Sequence, residues 1–347
     1  DNENESLTIM SDQNITWQPN FGENHAVLLY GSWQLTSGNS QYQQFDSYGS
    51  PSSFITDSSG SGNISSLNSS TGKWRSMAFL ERLHYAYQGR YIFDVTARWD
   101  GSTRFGPGHR WGFFPALSGK WIISDEKLLK NWRTWLNEFS LRGGYGVTGN
   151  QPGYEYLYFS RYNGYWSYGA SSYNGIATIK PNSLKLTNLK WERSTSVNVG
   201  VNLAILDNRI VADINVYKRR TSDLLFQNQA IPQSTGYSYI NYINAGTMDN
   251  TGWEFNLNTN NLIQAGKWVF DINVNLSNYR NKIVALDNNV LDSYNGDFNY
   301  SNGSYLSRVQ VGNSFGSIYG FKYLGVYQYD KYLVGQTGTS PVARDAN

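Results

Sequence analysis

Few residues here could perform covalent chemistry, and they are scattered. Glu254, Asp213 and Asp271 fall on the polar sides of neighbouring strand-like segments. Two carboxylates about 5–10 Å apart across a sugar are the apparatus of a glycosidase. The same acids suit a plainer task, lining a wet interior and hydrogen-bonding whatever fills it, and that reading is preferred. His25, His84 and His109 share no close spacing, so a histidine metal site is not expected. Each reads as an ordinary interior or loop residue. The sequence has no cysteine, which removes a thiolate nucleophile, a thiolate metal site and a disulfide scaffold. Nothing matches a phosphate loop or a Walker pattern. The expectation is a protein that is not an enzyme and uses neither cofactor nor metal.

The residues suited to binding are aromatic. Positions 150–188 contain Tyr154, Tyr156, Tyr158, Phe159, Tyr162, Tyr165, Trp166, Tyr168 and Tyr173. Aromatic faces stack on sugar rings and on peptide side chains, and the phenol adds a hydrogen-bonding tip. The competing use is packing of the segment against itself or against a partner protein. Tyr294, Phe298, Tyr300 and Tyr305 form a second group of the same kind.

The scaffold behind these residues is legible in composition. Tyr 27, Phe 16 and Trp 12 make up 16% of 347 residues, equal to the whole charged fraction, whereas a soluble domain is about 25% charged. Lys+Arg 28 against Asp+Glu 26 leaves a net charge of +2, which argues against nucleic acid as a partner. The longest apolar run is Ala26 to Tyr30, far short of the roughly 20 residues of a membrane helix. The acidic start, Asp1 to Glu5, is not a signal peptide. Low charge, many aromatics and abundant Gly, Asn and Ser suit an outer-membrane β-barrel, with aromatic girdles outside and a polar interior. A soluble all-β lectin or glycosidase has the same composition.

Period-2 alternation carries the strand reading. In 91–99 the odd positions are Tyr, Phe, Val, Ala and Trp, with Asp94, Thr96 and Arg98 between them. Val197, Val199, Val201 and Leu203 alternate with Ser196, Asn198, Gly200 and Asn202. In 268–276 the even positions are Trp, Phe, Ile, Val and Leu. Similar patterns at 27–35, 76–87, 113–123, 139–147, 209–217 and 252–258, with weaker ones at 7–17 and 318–329, give about eleven strands and no helix. The polar sides favour Asn, Ser, Gly and Asp over Lys and Glu, which suits an enclosed wet space better than bulk water.

The connections alternate in length. Short ones are expected near 19–24, 88–90, 205–208 and 261–266, with 124–136 an extended member of that side. Long ones are expected near 37–72, 150–188, 220–248 and 281–317, with 102–110 on their side. Transmembrane barrels have short periplasmic turns and long extracellular loops, and a Greek-key sandwich has no reason to obey that parity. Gln88-Gly89-Arg90 and Asp207-Asn208 supply residues that tolerate positive φ in tight turns. Gly143, Gly144 and Gly146 interrupt a strand and would let a large sheet curve.

Five segments then occur in a telling order. They are Ala97-Arg-Trp-Asp-Gly-Ser-Thr-Arg-Phe-Gly-Pro-Gly-His-Arg-Trp-Gly-Phe-Phe-Pro-Ala running on to Ser124, and Leu141-Arg-Gly-Gly-Tyr-Gly-Val-Thr-Gly-Asn-Gln. Leu189-Lys-Trp-Glu-Arg-Ser-Thr follows, continuing through Asp207-Asn-Arg to Leu225. Last come Asn244-Ala-Gly-Thr-Met-Asp-Asn-Thr-Gly-Trp-Glu-Phe and Gly316-Ser-Ile-Tyr-Gly-Phe-Lys-Tyr-Leu-Gly-Val-Tyr-Gln. Together they cover most of 73–328 and resemble the SusC/RagA family of TonB-dependent outer-membrane transporters.

The resemblance implies a transmembrane antiparallel β-barrel. Residues 1–347 would form part of a single barrel domain, about half of the family's roughly 22 strands. The family's signal peptide, TonB-contacting segment and plug domain are not expected within this chain. The implied function is active import of oligosaccharides or oligopeptides, driven through TonB. A SusD-like surface lipoprotein would act as a lid, and two transporter–lid units could pair as a dimer. The implied surroundings are outer-membrane lipid. Two other readings stand beside it: a secreted soluble carbohydrate-binding module or glycosidase, and a barrel or adhesin that does not transport.

Overall fold

The computed structural model describes residues 2–49, 63–165, 178–237, 239–295 and 306–320, with positions 52, 54, 322 and 323. One antiparallel sheet of ten strands dominates. Its strands are β1 (Asn2–Trp17), β2 (His25–Tyr48), β3 (Asn63–Tyr87), β4 (Tyr91–Ser102) and β5 (Trp111–Ile122). They continue as β6 (Leu136–Asn150), β7 (Glu192–Ile205), β8 (Ile210–Ser222), β9 (Thr247–Thr259) and β10 (Asn273–Ala285). Each strand pairs with the next in sequence, so the sheet is an uninterrupted meander. Among the described residues β1 and β10 each have a wall partner on one side only.

The two faces of this sheet decide what kind of protein it is. Register places Tyr85, Leu83 and Phe79 of β3 across from Phe93, Val95 and Trp99 of β4. Those in turn face Gly119, Leu117 and Phe113 of β5. This apolar face is the exposed one, with Val95 at 45% and Leu117 at 52%. The polar face is more covered: the Asp94 side chain is 23% exposed. A soluble sandwich buries its apolar face, so the soluble reading is overturned. A barrel wall shows the opposite order, apolar outward and polar inward. Glu81, facing out between Gly31 and Ala97, is an exception within this band.

Aromatic rings border the apolar band at both ends. At the short-turn end Tyr87 stacks on Tyr91 and Tyr91 on Trp121. At the long-connection end Trp33 stacks on Phe79 and Phe79 on Trp111, and Trp99 tilts against Phe113. Trp111 and Trp121 open and nearly close β5. Ten steps of about 3.3 Å on a strand tilted about 40° span about 25 Å. That is the height of the apolar belt of an outer-membrane barrel.

Turn chemistry behaves as read. Gln88 (φ 51°) and Gly89 (φ 66°) are left-handed, as are Leu206, Asp207 and Asn208. The extended short-side segment holds two 3-10 turns, Ile123–Asp125 and Lys127–Trp132. Between them Glu126 accepts hydrogen bonds from Tyr91 Oη and from Trp121 Nε1 (3.0 Å), with Arg90 at 3.1 Å. The two hydrogen bonds first, then the Arg90 charge, hold the Glu126 carboxyl below the usual carboxylate range.

Four expectations need correction. The long connection at 37–72 is largely strand: β2 and β3 stay paired to Tyr48↔Asn63, well beyond the apolar belt. This extension is polar on both faces, because both face water, and so it has no apolar alternation to read. The strand expected at 268–276 is two elements. Trp268–Phe270 folds back on Ile263–Ala265, and the wall strand starts at Asn273. Thr259 enforces the break, since its Oγ1 accepts from Ile272 N at 2.6 Å. A short helix, α1 (Asn288–Asn295), stands where none was expected. In 318–329, Ser317–Tyr319 pairs with Leu306–Arg308 outside the wall, and residues from 324 onward lie outside the described residues.

Candidate functional site

The inward face of the wall is a ladder of charges paired within a strand or with a partner one or two strands away. Asp94 accepts from Arg82 (2.7 Å) and contacts His84 Nδ1 (3.0 Å). Arg98 binds Asp100 through two hydrogen bonds, at 2.7 and 2.8 Å. Lys120 reaches Glu138 (2.8 Å). Arg142 reaches Asp213 (2.7 Å) and Asn202 Oδ1 (2.6 Å), and Asn202 Nδ2 donates to the same Asp213 at 3.0 Å. Such pairing neutralises carboxylates on a face shielded from lipid while keeping it wettable.

The sequence-singled acids do not converge into a catalytic pair. Asp213 is held by Arg142 and Asn202. Glu254 lies across from Asn215 on β8 and lines an inward cleft of about 500 Å³ with Asn198 and Arg219. Asp271 is remote, accepting from Leu262 N in a short-side turn. The histidines are equally separate. His25 packs on Tyr85 and Tyr87 at the short end, and His84 sits on Asp94. His109 lies in the long-side connection after β4, its Nδ1 enclosed without a hydrogen-bond partner among the described residues. No group of three His, Cys, Asp or Glu side chains among the described residues could hold a metal ion.

Above the ladder, the long-side connections knit into one ordered unit. Phe105, Leu157, Leu189 and Tyr242 form its buried core, with Leu186, Trp191 and Leu225 packed round them. Tyr242 is the hub: its hydroxyl accepts from Gly153 N (3.2 Å) and from Gln227 Nε2 (2.7 Å). Arg104 ties two connections together through Glu155 (3.0 Å) and the Pro152 carbonyl (3.1 Å). Asn244 bonds both the N–H and the carbonyl of Lys190, each at 2.9 Å. This unit shapes an open cleft of about 550 Å³, lined by His109, Lys185, Leu189, Lys190, Asp223 and Tyr242.

The predicted aromatic contacts divide into two kinds. Tyr158 is a packing residue: a Cβ added at Gly106 would come within 2.3 Å of its ring, and Lys185 Nζ sits 4.5 Å from the ring centre. Tyr156 is half-buried and left-handed, with φ 62°. Tyr154 stays exposed beside the cleft hub, edge-on to Tyr242 at 5.9 Å. Phe159 and Tyr162 are exposed. The side chain of Tyr165, and Trp166, Tyr168 and Tyr173 entirely, lie outside the described residues, as do Phe298, Tyr300 and Tyr305. Tyr294 is edge-on to Phe226 and Phe315. Sequence reading missed Tyr242, Lys185 and His109 as cleft residues. They come from three separate connections, and no spacing links them.

Comparison with known proteins adds the deciding observation. The family described as TonB dependent receptor-like, beta-barrel, matches residues 1–344. The chain belongs to this family. It is 29% identical over 330 residues to TonB-dependent receptor P26 of Formosa agariphila, covering 92% of this chain and 32% of that one. It is 35% identical over 216 residues to TonB-dependent receptor SusC of Bacteroides thetaiotaomicron, covering 60% and 21%. The RagAB peptide transporter shares the fold, with a TM-score of 0.75 at 21% identity, covering 84% of this chain and 32% of that one.

A TonB-dependent receptor barrel resides in the outer membrane, which agrees with the outward apolar belt and its two aromatic borders. The chain spans a third or less of the length of these relatives. The short turns accordingly mark the periplasmic end and the knitted unit the extracellular end. The family is one of transporters rather than enzymes.

Proposed function

We propose that this chain is wall and extracellular vestibule of a TonB-dependent importer of oligosaccharides or oligopeptides. Residues 1–347 belong to one barrel domain in that reading. The observation that carries it is the two-sided wall, with an apolar belt turned to lipid and an ion-paired ladder turned to the interior. The ladder offers a wettable surface for a solute and for a plug, and the ordered unit above it presents Tyr154 and Tyr162 to incoming solute. The likeness to SusC and to the RagAB peptide transporter supports a lid-forming SusD-like lipoprotein as partner, TonB as energy source and a pair of transporter–lid units as the assembly. No covalent step is assigned to any residue.

The test is uptake. The full-length receptor gene is deleted and restored in its own host, and import of labelled oligosaccharide and oligopeptide mixtures is followed. Import of one class is expected to fall on deletion, to return with the wild-type gene, and to fall again when TonB is removed. Unchanged import of both classes after deletion would overturn the proposal.

A further inference from the structure

The outward face is not apolar throughout. Directly above the belt on β8, β9 and β10, the outward positions turn basic. Val216 is followed outward by Lys218 and Arg220, and register sets Lys218 beside Thr251 and Arg280, and Asp249 beside Lys282. Four basic side chains and one carboxylate share this face. Asp249 is taken by Arg220, at 2.6 and 2.8 Å, with Lys218 at 3.6 Å. Arg280 and Lys282 form no ion pair with any described residue.

Lys218 and Arg280 also rim an outward-facing cleft of about 590 Å³, whose floor is Val197, Val199, Val216 and Trp253. The floor is continuous with the lipid-facing belt, and the rim lies at its extracellular border. An apolar slot rimmed by Arg280, which has no ion-pair partner among the described residues, and by Lys218, which shares Asp249 with Arg220, has the shape and charge of a site for a lipid whose acyl chain lies on the floor and whose phosphate meets the rim.

We propose that Lys218 and Arg280, backed by Arg220 and Lys282, bind the phosphate of the phosphorylated glycolipid that forms the outer leaflet, with an acyl chain in the cleft over Trp253. The proposal rests on the barrel's orientation, with its long connections outside, and is independent of what is imported. The site would anchor the barrel at a fixed height and rotate a defined lipid against strands β8 to β10.

The full-length receptor in nanodiscs of zwitterionic phospholipid serves for the test. It is titrated with purified lipid A, with enzymatically dephosphorylated lipid A, and with inorganic phosphate. Wild type is expected to bind lipid A in preference to the dephosphorylated form, with inorganic phosphate failing to compete. Each basic side chain near an anionic headgroup contributes about fivefold, so K218Q/R280Q is expected to weaken binding about twenty-five-fold. Arg219→Gln, on the same strand but facing inward, is expected to leave it unchanged. Heat-modifiable gel mobility verifies that each barrel is folded, and Lys218→Gln alone, with an expected fivefold loss, stands in if the double variant is not. Equal binding of the dephosphorylated lipid, or unchanged binding by a folded variant lacking Lys218, would overturn the proposal. So would competition by free phosphate at matched concentration. Failure here leaves import untouched, and loss of import on gene deletion says nothing about this site, so the two proposals fail separately.

Discussion

The guanidinium of Arg142 on β6 passes over Gly200 on β7, in the space a Cβ there would occupy, and by crossing that strand it reaches Asp213 on β8. A Cβ at position 200 would sit 2.7 Å from Arg142 Nε. Register sets Gly200 between Arg142 and Asn215, so the glycine is the gap through which a three-strand ion pair passes. Bulk at this site is expected to break that pair. Gly200→Val should displace Arg142 from Asp213 and destabilise the full-length barrel by about 1–3 kcal/mol, read as a lower urea midpoint in vesicles. Arg142→Met should cost a similar amount without the steric insult.

The outward face can be tested for lipid contact directly. Val95→Arg, in the middle of the belt, is expected to cost about 2–4 kcal/mol when the full-length barrel folds into phospholipid vesicles. An unchanged folding free energy would mean that this face meets water.

Tyr242 should govern the order of the extracellular unit. Tyr242→Phe removes one hydroxyl that joins Gly153 to Gln227, at about 1 kcal/mol. Tyr242→Ala empties a buried ring site and is expected to cost about 3–5 kcal/mol. Limited proteolysis of the intact receptor should show earlier cleavage in 151–160 and 184–191 for the alanine variant, with wall strands still protected.

Glu126 gives the periplasmic turn a defined acid response. Its carboxyl titrates below the ordinary value of about 4.3, because Tyr91 and Trp121 donate to the ionised form and Arg90 stands beside it. A carboxylate held low contributes stability that is complete above its unfolded value and is lost as pH falls through its folded value. The Trp121 indole resonance, assigned with Trp121→Phe, should therefore hold its position from pH 7 to 5 and move only once the pH has fallen below the ordinary carboxylate range. In Glu126→Gln the resonance should start displaced and stay fixed over the same range.

Reading strands from sequence worked where a strand lies across the belt. In β4, Tyr91, Phe93 and Val95 alternate with Ile92, Asp94 and Thr96, and lipid on one side with charge pairs on the other enforces the period of two. It failed where both faces meet the same solvent. The hairpin extension from Thr36 to Tyr48 and from Asn63 to Ser76 carries Ser, Asn and Gln on both sides, so its pairing leaves no periodic trace. The reverse failure occurs at Trp268–Phe270, where an apolar pattern belongs to a turn hairpin that Thr259 and Asp271 hold apart from the wall.

By itself the sequence determined the class of structure, the parity of the connections, the aromatic borders and the family. All of these follow from local alternation, turn residues and ordered motifs. Only the tertiary structure decided which face is outward, because an amphipathic strand reads the same whether its apolar side meets lipid or a core. It also decided the partners of each charge. Arg142 and Asp213 lie on strands separated by the whole of the 151–191 connection, and the basic rim of Lys218 and Arg280 needs three strands in register. Those neighbours are set by hydrogen-bond registration across the sheet, and distance along the chain carries no record of it.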